Sequence, residues 1–212
     1  MERVILVSGG VDSYIMSQEF EGVNVYIDFG QPYAQQELQA LKSLQVDVSI
    51  ITLRGYKSNF NDVYIPDRNL FFACVAEMYY NADEIYMAGL RDDNCKDKTE
   101  EEFRIMSEIL TRYANKEVRV ISPYWHKSKG ELIRDYQGDK SKLAYTFSCY
   151  APRGNEPCGN CPACLRRVIA LETNHIDSRL TLSDEIVSEY QTKITEYDAD
   201  RQSRFVAYKN SR

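Results

Sequence analysis

No stretch of the chain approaches the roughly 18 consecutive apolar residues that a membrane-spanning helix requires. The opening MERVILVSGG also lacks a long apolar segment followed by a cleavage site. A membrane span and a secretory leader are therefore not expected, and the cytoplasm is the expected compartment. The sequence is also short of positive charge, with 26 Lys and Arg against 32 Asp and Glu, for a formal charge of -6. That balance argues against a general nucleic-acid binder, which needs a basic surface to neutralise phosphates. Internal repeats and low-complexity linkers are missing as well, which excludes solenoids and tethered arrays. With 43% apolar and 27% charged residues over 212 positions, what remains is a globular chain of one domain with a small elaboration.

Short apolar runs alternate with amphipathic stretches, the pattern of β and α units feeding a mostly parallel sheet. Strands are read at 3–7, 24–29, 46–53, 84–90 and 118–124. Helices are read at 11–20, 32–44, 69–82 and 99–114, with another starting at Ser128, where Glu131 completes a capping box. LRRVIALETNHI after Cys164 also reads as helical, and the charged tail from 183 as one further helix on the surface. The expected fold class is α/β: a Rossmann-like, open, mostly parallel five-stranded sheet with helices on both faces, followed by a C-terminal zinc-binding helical segment. The division expected is 1–145 for an ATP-binding α/β domain and 146–212 for the segment packed on it. Sixteen scattered tyrosines read as packing residues.

Directly behind the first strand stands SGGVDS, Ser8 to Ser13. A glycine turn from a strand into a helix aims backbone N–H groups at the helix N-terminus, which makes an anion site. Glycines admit a phosphate closely, and the hydroxyls of Ser8 and Ser13 add donors. Asp12 repels an anion, so its fitting use is to hold a magnesium ion bridging phosphates. The bland alternative is a tight turn with a capping serine. A Walker loop is excluded because Gly-Lys-Ser/Thr is missing.

Four of the six cysteines, Cys149, Cys158, Cys161 and Cys164, crowd into sixteen positions, while Cys74 and Cys95 stand apart. Overlapping Cys-x2-Cys steps let thiolates converge on one ion, and four such ligands make a closed, structural zinc site. An iron–sulfur cluster also uses such steps. A redox pair would leave Cys149 and Cys158 unexplained.

SGGVDS near the amino end, combined with SCY and CGNCPAC followed by RR, resembles the 7-cyano-7-deazaguanine synthase family of the ATP pyrophosphatase superfamily. YIDFGQ (26–31), IPDRNLFF (65–72) and WHKSKGEL (125–132) are similar to further family segments in the same order. The resemblance implies an ATP-dependent carbon–nitrogen ligase that adenylates the carboxylate of 7-carboxy-7-deazaguanine. Ammonia then converts it, through an amide, to the nitrile, with AMP and pyrophosphate released. It implies ATP, Mg2+ and Zn2+ as cofactors. Ser8, Gly9, Gly10, Val11, Asp12 and Ser13 would bind the nucleotide, and Asp12 and Lys129 would act at the phosphates. Phe29, Gln31, Arg68, Asn69, Asp93 and Asp97 would contact substrate, and Phe29 or Tyr150 could stack on a purine-like ring. The expected partners are these small molecules, with no membrane or direct nucleic acid, and the expected assembly is a homodimer.

Two stretches depart from the family pattern. GLRDDNCKDKTEEEF (89–103) keeps an acidic residue at Asp93 but lacks a tyrosine–proline segment expected to contact the deazaguanine, with Asp97 offset by one. The loop at 54–64 is slightly short. Alternatives are a divergent member that stops at the amide or joins another amine, an NAD synthetase or tRNA thiolase relative on the same fold, and a zinc-stabilised binding module without catalysis. His126 and His175 read as non-catalytic.

Overall fold

The computed structural model describes residues 1–55 and 65–211; most of the 54–64 loop lies outside the described residues. Five strands, β1 (Arg3–Leu6), β2 (Val23–Asp28), β3 (Ser49–Thr52), β4 (Glu84–Tyr86) and β5 (Arg119–Ile121), form one sheet in the order β3-β2-β1-β4-β5. Every pairing is parallel, with Val4 opposite Val23 and Ile85. β1, β3, β4 and β5 each lie within the run read from the sequence and are shorter than it, whereas β2 has the expected length but begins one residue earlier than the 24–29 read.

Parallel strands need crossovers that cover both faces, so their side chains alternate between two apolar layers. Ile5, Tyr26 and Tyr86 pack with α1 (Val11–Glu19), α2 (Ala34–Ser43) and α5 (Lys129–Asp135). Val4, Val25 and Ile85 pack on the other face with α3 (Arg68–Tyr80) and α4 (Glu100–Ala114). At about 25 cal/mol per Å2 of apolar area removed from water, this double burial is the main stabilising term. Among the described residues no helix is long and apolar enough to cross a membrane.

The chain turns back from β3 to β4 across β1, so the sheet's switch point lies between β1 and β4. In open α/β sheets ligands bind outside the carboxyl ends of strands at such a point. SGGVDS begins two residues after β1 ends.

A third apolar cluster joins Cys149, Cys161 and Cys164 to α6 (Pro162–Glu172), α7 (Asp184–Lys193) and α8 (Ala199–Asn210). The tail read as one surface helix is thus two, with Tyr190, Phe205 and Tyr208 buried. The charged faces of these helices obscured their apolar stripes in the sequence.

Candidate functional site

A cavity of about 280 Å3 opens over the carboxyl ends of β1, β2 and β4. One wall is the glycine turn. Gly9 sits at φ +71°, and a Cβ there would come 2.8 Å from the Glu37 carbonyl oxygen, so the turn can press against α2 only without a side chain. The Gly9 carbonyl accepts the Phe147 amide at 2.9 Å, tying the turn to the C-terminal segment. The Ser13 hydroxyl accepts the Ser8 amide at 3.1 Å and donates to the Gly10 carbonyl at 3.2 Å. Gly10 caps α1 without a side-chain hydrogen bond, so no capping side chain takes up the amides of the first turn. Ser8, Gly10, Asp12 and Ser13 line the cavity; Val11 is fully buried in the core.

Facing the turn is Lys129, first residue of α5. The capping box read at Ser128 and Glu131 is present, with hydrogen bonds of 2.8 and 3.1 Å. Asp92 accepts the Lys129 amide at 3.0 Å. The Lys129 ammonium reaches both Asp12 oxygens at 2.6 Å in a buried ion pair. Burial lowers the Lys129 ammonium below its ordinary pKa even though Asp12 pulls the other way.

Next to this pair, Asp93 accepts from Lys98 at 3.0 Å, from the Leu90 amide at 3.1 Å and from Arg166. Arg166 also reaches Asp92 at 2.7 Å. Although burial works against it, the cations Lys98 and Arg166 hold the Asp93 carboxyl well below the usual carboxylate range. Sequence reasoning placed Asp93 here but missed Asp92, Lys98 and Arg166. The doubled Arg of the CGNCPAC-LRR stretch was the one available signal for Arg166.

The opposite end of the cavity is aromatic and amide-rich. Phe29 is buried edge-to-face on Phe72 at 5.2 Å. Gln31 accepts the Phe29 amide at 3.1 Å and donates to Tyr26 at 2.6 Å and Glu37 at 3.1 Å. Burial pushes the Glu37 carboxyl up to about 7, with Gln31, Tyr26 and Arg68 pulling against it. Arg68 and Asn69 also line this end, and Arg68 Nε is buried with no hydrogen-bond partner among the described residues. Tyr150 lies at the rim, 6.3 Å from Tyr33. Asp97 stands outside the lining, where its backbone carbonyl accepts from Asn69 at 3.4 Å. Neither His126 nor His175 lines the cavity.

The sulfurs of Cys149, Cys158, Cys161 and Cys164 lie within 4.8 Å of one another. Four 2.3 Å bonds in a tetrahedron place sulfurs about 3.8 Å apart, and Cys158 and Cys164 stand at 4.0 Å. Amides point at the sulfurs, Cys158 N–H to Cys149 at 3.3 Å and Asn160 N–H to Cys158 at 3.4 Å. Cys161 caps α6, where the helix N-terminus favours a thiolate, and hydrogen bonds from Cys149 and Cys164 hold its thiol well below the ordinary cysteine range. This donor set fits a closed structural zinc site. Two residues on, α6 carries Arg166 into the cavity, and Ser148 to Tyr150 form its wall, so the cysteine knot positions the site from behind.

A family model described as queuosine biosynthesis protein QueC matches residues 44–175. The 7-cyano-7-deazaguanine synthase of Chlorobaculum tepidum is 24% identical over 84% of this chain and 94% of its own length. Those of Aliarcobacter butzleri and Picrophilus torridus are 25% and 28% identical over 81% and 78% of the chain, and 91% and 84% of their own lengths. A glycine turn at the switch point, a buried lysine–aspartate pair beside it and a four-cysteine knot behind it thus occur in a chain whose matched segment covers more than half its length, and the protein belongs to the QueC family.

Proposed function

We propose that the cavity binds ATP with its terminal phosphates on the SGGVDS turn and adenylates the carboxylate of 7-carboxy-7-deazaguanine, which ammonia then converts to 7-cyano-7-deazaguanine. The observation that carries this reading is the placing of the Asp12–Lys129 pair beside the uncapped α1 N-terminus. Amides of Gly9 to Ser13 and the two serine hydroxyls supply donors for phosphate oxygens. Lys129 moves from Asp12 to the α-phosphate as nucleotide enters. Asp12, so released, would be the residue to hold a magnesium ion, which would supply positive charge to neutralise the phosphates.

A carboxylate oxygen attacks the α-phosphorus and the bond to the β-phosphate oxygen breaks, so that pyrophosphate leaves with the electron pair. Ammonia displaces AMP to give the amide. A second ATP adenylates the amide oxygen with loss of pyrophosphate, and as the C–O bond breaks and AMP leaves, the nitrogen gives up its two protons to leave the nitrile. Holding the reactants together supplies much of the acceleration, so no protein nucleophile is needed. Phe29 and Tyr150 offer ring faces to the two bases, and Arg68, Asn69 and Gln31 offer polar edges. The chain works as a homodimer without nucleic acid or membrane.

Incubating the protein with ATP, Mg2+, ammonium and 7-carboxy-7-deazaguanine, and weighing the products by mass spectrometry, tests this. The expected outcome is the nitrile with AMP and pyrophosphate. An amide that accumulates would place the chain among enzymes that stop one step earlier. No AMP in response to the carboxylate would overturn the reading.

A further inference from the structure

The β4–α4 loop carries a cluster that the phosphate reading leaves unused. Lys98 lies in the cavity wall with its side chain only 22% exposed. Among the described residues its ammonium has one hydrogen-bond partner, Asp93 Oδ2 at 3.0 Å. An ammonium has three donors, so two stay available. Arg166 spends both terminal nitrogens on Asp92 and Asp93, while its buried Nε has no acceptor among the described residues. A purely structural ion network would satisfy the Arg166 Nε, because a buried donor without a partner is costly. The four charges of Asp92, Asp93, Lys98 and Arg166 cancel, which lets the cluster persist without an anion. Its spare donors suit an oxygen-rich ligand.

We propose that Lys98, held by Asp93 and backed by Arg166, receives the carboxylate of the substrate and thereby selects the acid over neutral analogues of the same ring system. This rests on the adenylation reading above. Phosphates have their own donors in the glycine turn and Lys129. The acid must reach the α-phosphorus, so its second oxygen needs a partner beside Lys129 but distinct from it. Burial and the neighbouring Arg166 charge oppose the Lys98 ammonium, but Asp93 and Asp12 outweigh them and hold it above its ordinary pKa, so it stays charged. Lys98 leaves the attacking oxygen's lone pair free and takes no proton. The loop that departs from the family's tyrosine–proline segment supplies this cation in its place.

Calorimetric titration of the full chain tests the assignment, using 7-carboxy-7-deazaguanine and its nitrile counterpart in the presence of α,β-methylene-ATP and Mg2+. Wild type, Lys98→Met and Lys98→Arg are compared, and binding of α,β-methylene-ATP alone is measured for each. Lys98→Met should weaken the acid by at least about tenfold, the weight of one charge-assisted hydrogen bond. The nitrile and the nucleotide should stay within about twofold, since neither meets Lys98. Lys98→Arg should regain most of the acid's affinity. If Lys98→Met fails to fold, Lys98→Gln carries the same comparison. Unchanged acid binding, equal losses for acid and nitrile, or a matching loss for nucleotide each overturns the proposal. Wild type that binds the nucleotide but neither deazaguanine overturns the substrate reading itself, together with the proposal resting on it.

Discussion

Gly9 and Gly10 are adjacent in the sequence and alike in composition, yet their surroundings demand different penalties for a methyl group. At Gly9 the backbone is left-handed, which costs an L-residue roughly 1–2 kcal/mol. The added Cβ would also stand 2.8 Å from the Glu37 carbonyl oxygen and 3.2 Å from the Ala40 Cβ, overpacking that typically costs about 1–3 kcal/mol. The sum is about 2–5 kcal/mol, or a Tm lowered by roughly 4–20 °C at the 2–4 °C per kcal/mol of a chain this size. Gly10 has φ -76° and a nearest neighbour at 3.4 Å, so its Cβ fits. Losing glycine at a helix cap costs about 1 kcal/mol or less. Gly10 lines the cavity, however, and on the proposed reading its methyl would crowd the phosphate seated on the turn. Gly9→Ala should therefore melt early by calorimetry. Gly10→Ala should melt within a few degrees of wild type yet bind ATP at least about tenfold more weakly, the equivalent of one lost charge-assisted hydrogen bond. Wild-type ATP affinity in Gly10→Ala would refute the placing of phosphate on the turn, and a wild-type melting temperature in Gly9→Ala would refute the steric argument.

Breaking the Asp12–Lys129 pair should cost about 3–5 kcal/mol in either single variant, because a buried charge loses its partner. Urea unfolding of Asp12→Ala, Lys129→Met and the double variant checks this, and the double variant should recover part of the loss. Cys161→Ser should lose bound zinc by atomic absorption and melt lower, whereas Cys74→Ser, outside the knot, should keep its metal. Glu37, held near pH 7 in the fold, binds its proton there between about pH 4.5 and 7 while the unfolded chain has released it. Stability should thus fall as pH rises through that window. Glu37→Gln keeps an acceptor for Tyr26 and Gln31 and should flatten this slope in urea titrations across the range. An unchanged slope would remove Glu37 as its source.

What could be read in the sequence is what is local. Strands buried on both faces appear as continuous apolar runs, because no solvent face interrupts them. The glycine turn, the Ser128–Glu131 capping box and the cysteine spacing each lie within a few residues, and each has a residue-type signature. The pairing of the site's ionic groups has none. Asp12 and Lys129 are 117 residues apart, and Asp92 and Arg166 are 74 apart. The glycine turn and the family resemblance single out Asp12, Lys129 and Asp93 one by one, but nothing local joins them to each other or marks Asp92 and Lys98. The same blindness explains the tail. Its acids and arginines suggested a surface helix, but Asp198 meets Arg91 at 3.0 Å, Asp200 accepts from Ser128, and Arg201 donates to the Asp92 carbonyl at 3.2 Å. Arg204 bonds Asp200 at 2.8 Å and Thr173 at 3.1 Å, lying across Gly130 where any side chain would collide with it. The charges at the start of α8 therefore fasten the loop that bears Asp92 and Asp93 to the helix that bears Lys129, so α8 braces a site whose lining it does not enter.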